Sequence, residues 1–378
     1  MKVEREFADA AGEQAFELAA TLADEELAAL VDEHEATSTF PRDLLRRMGK
    51  LGLLALPYPV DDGGGGLTYQ SYVQVIERLA YQWLAVAESV HLHVIACYGV
   101  ATYGTPTQRA ELLPAMLSGE QLGAICLSES QAGSDLGAIA TTATRDGDEY
   151  VVRGTKSWTS HAGVADFYNI YCRTGGPGIT GLSCLLADAS TPGILPHRPE
   201  RKMGVRSLPT AQIVLDDVRL PKSRVIGRPG RGFVVASAGF DHARLGITAC
   251  AVGLAQAALD HAAAHARGTT RSDRLLIDHQ GLAFTLADLA TQVSAARALL
   301  LSAARLKDAG RPFATEAAKA KLFATDTAMR VTVDAVQVLG SDGYSCDEPV
   351  ERWFREAKLL QIIEGTNQIQ RAAIARTL

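Results

Sequence analysis

Apolar positions along the chain change their period twice. Over residues 1–122 they recur at three- and four-residue steps, as in Phe16, Ala20, Ala23, Leu27 and Leu30, with acids on the opposite face. Pro41 opens a second helix predicted over Arg42–Gly52. Further helices are expected from Tyr69 to about Ala87, over Ser89–Tyr103 and over Pro106–Leu117. Asp61-Asp62 and the run Gly63–Gly66 break the pattern; no Gly-Lys-Ser/Thr follows, which favours a plain loop over a phosphate cradle. From about Gly123 to Val235 the period falls towards two. Tyr150–Val152, Phe167–Cys172, Leu182–Leu186 and Gln212–Val218 predict strands, each bounded by Gly, Pro or Asp. Gly176–Gly181 spells GxGxxG but leads into a strand, which predicts a hairpin connection and discards a nicotinamide site. After Gly232 the helical period returns over 233–266, 281–308 and 314–339, with shorter helices near 349–361 and 367–377. Short turns such as Asp308-Ala309-Gly310 predict an antiparallel bundle, part of whose apolar surface is expected to meet other subunits. The order of elements is α+β: helices over 1–122, a β domain over 123–235 and a helical bundle over 236–378.

Composition narrows the class. With 378 residues, 47% hydrophobic and 21% charged, the chain is a globular protein with a sizeable core, not a disordered one. The net charge of −6 leaves no whole-chain footprint for nucleic acid. The acidity is concentrated in residues 1–35, where eleven Asp and Glu face only Lys2 and Arg5, a net of −9. Cys97, Cys126, Cys172, Cys184, Cys250 and Cys346 are scattered without CxxC, so buried free thiols are expected, not a disulfide framework or a zinc site. The acidic N-terminus lacks the apolar core of a targeting signal, and no apolar run is expected to reach the roughly 18 residues of a membrane span. A cytoplasmic location follows as the expectation.

Few segments carry chemistry. No GxSxG elbow is present, and His91 and His93, alternate on a helix, point apart and are expected as core or surface residues. Cys126 to Ala138 packs Ser and Gly into a turn entering the β domain, where N–H groups and hydroxyls can bind a carbonyl-rich ring edge or a phosphate. Lys156-Ser157-Trp158-Thr159-Ser160-His161 places a Trp among polar residues after a strand, where a flat ring can cover a planar cofactor or simply fill a core. Glu364 follows the apolar stretch Leu359–Ile363; a carboxylate desolvated there gains basicity, while Thr366 or Asn367 beside it fits a helix N-cap.

Together these segments resemble the acyl-CoA dehydrogenase family over essentially the whole chain. Also in that family's order are Arg201-Lys202-Met203-Gly204, the strand end Asp216–Pro221, the stretch Gln337–Tyr344 through Arg352 and Glu356, and Glu364-Gly365-Thr366. The resemblance implies a central β-barrel or sandwich, a C-terminal four-helix bundle, FAD, and a homotetramer. It also implies α,β-dehydrogenation of an acyl-CoA or acyl-carrier-protein thioester to the trans-2-enoyl thioester, with electrons leaving to an electron-transfer flavoprotein. On this basis Glu364 is the α-proton base, and Ala243 stands where some subfamilies carry a second base. FAD contacts are implied for Ile125, Cys126, Leu127, Ser128, Gly133, Ser134, Trp158, Thr159, Ser160, His279, Gln280, Gln337, Val338, Gly340, Thr366 and Gln368. Substrate contacts are implied for Ser134, Asp241, Arg244 and Gly365. Cys97, Tyr98 and Val100 are expected at the acyl tail.

One stretch departs from the family. Where members carry Arg-x-x-Phe-Gly, with its Arg on a neighbouring subunit's FAD pyrophosphate, this chain reads Thr269-Thr270-Arg271-Ser272-Asp273. Arg271 or Arg274 restoring the charge, weaker FAD binding, or a hetero-oligomer whose partner supplies the contact are all compatible. Ser341 in place of Gly is a milder change. Rival functions are a flavin oxidase or monooxygenase of the same fold and a flavin-poor subunit.

Overall fold

The computed structural model describes residues 3–378; Met1 and Lys2, part of the stretch expected to carry no targeting signal, lie outside it. The N-terminal helices are α1 (Ala10–Leu22), a π segment (Ala23–Leu27), α2 (Ala28–Thr37), α3 (Arg42–Lys50), α4 (Tyr69–Gln82), α5 (Leu84–Tyr103) and α6 (Pro106–Leu117). Strands β1 (Gly123–Cys126), β2 (Thr142–Asp146), β3 (Glu149–Ser160), β4 (Phe167–Arg173), β5 (Leu182–Asp188), β6 (Ile194–Pro196), β7 (Thr210–Pro221) and β8 (Val225–Ile226) follow. Next come α7 (Gly232–Gly268), the hairpin β9 (Thr270–Arg271) and β10 (Arg274–Leu275), α8 (Gln280–Asp308), α9 (Ala314–Leu339), α10 (Pro349–Leu360) and α11 (Asn367–Ala375).

The strands form one sheet in the order β6-β7-β3-β2-β4-β5-β8, with β1 parallel to β4. Only Thr142 and Arg173 pair β2 with β4, a narrow joint between two antiparallel halves. Buried residues of both halves, Val152 and Ile213 from one and Ile170 and Leu185 from the other, share a single core, so the sheet folds over on itself. The N-terminal helices and the C-terminal helical region flank the sheet and pack on each other. α4 and α5 pack on α7, and their core is continuous with that of α8, α9 and α10.

Helix α7 comes close to α4 and α5 because two glycines face them. A methyl group built on Gly253 would overlap the Glu77 carbonyl of α4, and one on Gly246 would overlap the His91 ring of α5. Across the same seam the buried Glu77 takes ion pairs from Arg297 of α8 at 3.0 Å and from Arg5 at 2.8 Å.

Several expectations change here. The helix predicted to run from Tyr69 to about Ala87 is broken at Trp83, whose extended backbone (φ −151°, ψ 104°) turns the chain into α5. Helix α3 stops at Lys50, two residues short of the expected Gly52. The short strands β1, β2, β6 and β8 were not foreseen, being too brief to display a period. Trp158 lies inside β3 and not after it. The GxGxxG stretch does connect the hairpin β4–β5. Leu84–Tyr103 and Gly232–Gly268 are, contrary to expectation, long and apolar enough to span a membrane; 83% of each apolar window is buried in protein, as in core helices. Five cysteines are buried and free, whereas Cys346 is exposed.

The tight α4–α7 approach predicts that Gly253→Ala lowers stability by about 1–3 kcal/mol through overpacking. Chemical denaturation should give a lower midpoint with unchanged helix content; an unchanged midpoint would mean that α4 yields freely.

Candidate active site

A cavity of about 790 Å³ opens where the folded sheet meets the helices. Its walls come from α5, the loop after β1, the end of β3, α7 and the segment between α10 and α11. Two hydrophobic cores meet there without merging, which leaves room for a ligand between them.

The loop after β1 is anchored by a buried ion pair. Lys156 of β3, fully buried, donates to Glu129 Oε1 at 2.7 Å and to the Leu127 carbonyl at 3.0 Å. Glu129 also accepts from the amides of Ala140 at 2.7 Å and Thr141 at 3.0 Å. Burial works to raise the Glu129 pKa, but Lys156 and these hydrogen bonds hold it down at about 2. The Ser157 amide adds a bond to the Ser128 carbonyl at 2.9 Å. Beside this anchor β3 bulges against β7 between Lys156 and Thr159, and Trp158 adopts a left-handed φ of 57°. Such a backbone costs on the order of 1 kcal/mol or more for a non-glycine residue and turns the side chain out of the pleat. The Trp158 side chain, 65% exposed, consequently lines the cavity.

Glu364 sits in a second strained segment. Its φ is 51° and that of Gly365 is 83°, between the end of α10 and the Thr366 side chain that caps α11. The capping role weighed for Thr366 and the exposure of Glu364 to the cavity are thus both realised by one turn. The turn is held from behind. Lys321 of α9, fully buried, donates to the Gly365 carbonyl and to Asn367 Oδ1, each at 2.9 Å, and Gln370 donates to the Gly365 carbonyl at 2.8 Å. Burial pushes the Glu364 carboxyl above its ordinary range, against the pull of the Lys321 and Arg244 charges. The same burial brings Lys321 down to about 8. Arg244 pairs with Asp241 at 2.7 Å, and its buried Nε has no partner.

Three models of one family match the chain: the N-terminal, middle and C-terminal domains of acyl-CoA dehydrogenase, over residues 10–120, 124–218 and 230–378. The chain belongs to the acyl-CoA dehydrogenase family. It is 37% identical over 355 residues to an acyl-CoA dehydrogenase of Bacillus subtilis (strain 168), covering 93% of this chain and 94% of that one. The solved butyryl-CoA dehydrogenase of Megasphaera elsdenii superposes with a TM-score of 0.96 at 33% identity, covering 100% of this chain and 99% of that one. A chain from the structure of the Acidaminococcus fermentans electron transferring flavoprotein superposes at 0.95 with 34% identity, covering 100% and 99%.

The family is FAD-dependent, and this cavity suits a flavin: it offers one exposed indole face, the hydroxyls of Ser128, Ser134 and Ser160, and a strained loop. Of the residues expected at the site, Ile125, Leu127, Ser128, Gly133, Ser134, Trp158, Ser160, Arg244, Glu364, Gly365 and Thr366 line it. Cys126 and Thr159 do not; both are buried, with the Thr159 hydroxyl 3.9 Å from the Cys126 sulfur behind the wall. Asp241 reaches the cavity only through Arg244. His279, Gln280, Gln337, Val338, Gly340 and Gln368 lie outside the cavity of their own chain. So does the Thr269–Asp273 stretch, which forms the exposed β9–β10 hairpin with Ser272 and Asp273 both at positive φ. Cys97 and Val100 are fully buried away from it; among their neighbours Ile95, Tyr98 and Gly99 line the wall. His91 is a core residue, bonded to the Tyr72 hydroxyl at 3.0 Å and the Ala243 carbonyl at 2.9 Å. His93 is equally buried and faces the Met116 carbonyl at 2.8 Å.

Sequence reasoning missed Glu129, Lys321, Lys202 and Glu88. Lys321 acts from behind the wall; Glu129, Lys202 and Glu88 line it. For Glu88 and Lys321 a charged residue inside an apolar helix was the available signal, and Glu129 and Lys202 stood within quoted motifs without a role of their own.

Breaking the Lys156–Glu129 pair should loosen the loop. Lys156→Met would strand a buried carboxylate and cost about 3–5 kcal/mol, visible as a lower melting temperature and loss of flavin on dialysis. Glu129, with its depressed pKa, stabilises the fold above its unfolded value near 4.5 and loses that contribution as pH falls towards about 2. The gap in melting temperature between wild type and variant should therefore close on acidification.

Proposed function

We propose that Glu364 is the base with which this FAD-dependent acyl-thioester dehydrogenase removes the α-proton of its substrate. The observation that carries the assignment is a carboxyl of raised basicity on a cavity wall, held on a strained turn by Lys321 and Gln370. An α-C–H beside a thioester is a very weak acid, so the base needs desolvation and fixed placement. Burial supplies the first and the buried Lys321 the second. FAD, held against Trp158, Ser160 and the Leu127–Ser134 loop, supplies the acceptor for the β-hydrogen and its electron pair. Arg244, with its unpartnered Nε, and Ser134 contact the thioester's carrier portion. Glu364 with Gly365-Thr366 favours this reading over a monooxygenase, whose chemistry needs no α-proton base.

The remaining assignments follow from position. His279, Gln280, Gln337, Val338, Gly340 and Gln368 serve the cofactor of a neighbouring copy in a homotetramer, a reading supported by their distance from their own chain's cavity. The β9–β10 hairpin belongs to the same outward set. There Arg271 and Arg274 stand in for the family's arginine, with FAD held less tightly; a partner chain in a hetero-oligomer is the alternative. Electrons pass to an electron-transfer flavoprotein, in keeping with the likeness to the Acidaminococcus chain. A cytoplasmic setting suits the five buried free thiols.

Glu364→Gln should keep FAD and bind thioester while anaerobic flavin reduction by acyl-CoA falls by about 10²–10⁴. Reduction at the wild-type rate would remove Glu364 from the reaction. Because its folded pKa is raised, the Glu364 carboxyl supports the fold below its unfolded pKa, and that support is lost as pH rises through the folded value. The Gln variant should accordingly melt above wild type at pH 8, with the difference vanishing near pH 4.

Lys321→Met tests the support of the turn. The charges of Lys321 of α9, Arg244 of α7 and Glu88 of α5 act on Glu364, while Asp326 of α9 acts on Lys321 and Asp241 of α7 on Arg244. Removing the nearest cation should move the acid limb of the reduction rate to higher pH and slow reduction roughly 10-fold or more. Lys321→Arg should restore the limb. An unmoved limb in the Met variant would confine Lys321 to stability.

A further inference from the structure

The wall of this cavity contains a buried acid that the dehydrogenation chemistry leaves unused. On α5, Glu88, Leu92, Ile95 and Gly99 follow one another at helical spacing and all line the cavity, so an apolar stripe begins with a carboxyl group. Glu88 is 2% exposed, and its Oε2 has no hydrogen-bond partner.

The other buried glutamates of the described residues clarify how unusual this is. Glu35 accepts from Trp83 Nε1 at 2.9 Å, the Arg206 amide at 2.7 Å and the Ser207 hydroxyl at 2.5 Å. Glu77 takes two arginines on Oε1, its Oε2 being unpartnered but away from the cavity, and Glu129 takes Lys156 and two amides. Glu356 is also without partners, but it does not reach the cavity. Among these glutamates Glu88 alone combines burial, an orphaned oxygen and a place on the ligand-facing wall; the buried Asn169, whose Oδ1 is also unpartnered, lines the same cavity as a neutral amide. Lys202 acts on it by charge while donating its own hydrogen bonds to the Leu208 carbonyl and, at 3.1 Å, to Thr210 Oγ1.

We infer that Glu88 is a specificity-determining residue that selects acyl thioesters whose acyl chain carries a hydrogen-bond donor, a hydroxyl or an amino group, over plain hydrocarbon chains. This rests on the acyl-thioester reading of the same cavity. A buried carboxyl without a partner destabilises its surroundings unless something hydrogen-bonds it, and a hydrocarbon chain lying across it excludes water without replacing the bond. A substituent that donates to Oε2 satisfies the group; its absence leaves the group unpaired, the situation in which a polar site discriminates most strongly. Burial raises the proton affinity of Glu88, the Lys202 charge lowers it and the charges of Glu364 and Glu35 raise it further, bringing its pKa to about 7. The carboxyl can thus meet a hydroxyl in either protonation state and an ammonium when ionised.

The test compares wild type, Glu88→Leu and Glu88→Gln on hexanoyl-CoA and its 5-hydroxy, 6-hydroxy and 6-amino derivatives. Anaerobic flavin reduction gives kcat/KM, and the melting temperature of each protein with each thioester reports binding independently. Wild type should favour at least one donor-bearing chain by about 10- to 100-fold. Leu should reverse the order, gaining on hexanoyl-CoA, and Gln should keep the hydroxyl preference while losing the amino one. A wild type that prefers hexanoyl-CoA, with Glu88→Leu altering all chains alike, would overturn the inference and leave dehydrogenation standing. Glu88-dependent melting shifts without any flavin reduction would keep the inference and overturn the dehydrogenase reading. No shift and no reduction with any chain would overturn both.

Discussion

The site depends on the neutralisation of one buried ammonium. Lys156 has no exposure, and an unpaired charge there would cost several kcal/mol. Its partners, Glu129 and the Leu127 carbonyl, both belong to the loop after β1, so the requirement to neutralise Lys156 also fixes that loop on β3. The bulge that follows Lys156 then turns Trp158 into the cavity. A single electrostatic demand thereby sets two of the cavity's walls.

The opposite wall obeys the same rule with the signs reversed. Glu364 is the group to be kept partly unsatisfied, since a carboxylate fully paired would lose its basicity. Lys321 accordingly donates to the Gly365 carbonyl and Asn367, not to the Glu364 carboxyl, and influences the acid only through its field. Glu129, held at about 2, and Glu364, raised by burial, are one residue type in opposite electrostatic settings within one cavity. Both strained backbones, at Trp158 and at Glu364, occur where a side chain must face a ligand and not the core.

These walls are brought together by the helices. Gly246 and Gly253 let α7 approach α5 and α4, so the N-terminal helices and the C-terminal bundle share a core. That shared core places α5, bearing Glu88, opposite the α10–α11 turn, bearing Glu364. The cavity is therefore a product of the assembly of all three sequence regions and belongs to none of them.

Periodicity alone determined the order of helices, β region and bundle, because burial of one face is written into local spacing. Ordered motifs determined the family, and with it Glu364, Trp158 and the Ser-rich loop, since each keeps its own small signature in the chain. What the sequence could not decide is which polar residues are paired. Lys156 and Glu129 are 27 residues apart and Lys321 and Gly365 are 44 apart, and no local pattern reports such bonds. Glu88 is likewise silent within an apolar helix. Nor does the sequence place Cys126 and Thr159 behind the wall in place of on it. Only the tertiary structure decides these points, because the energy of a buried charge depends on what the rest of the fold brings to it.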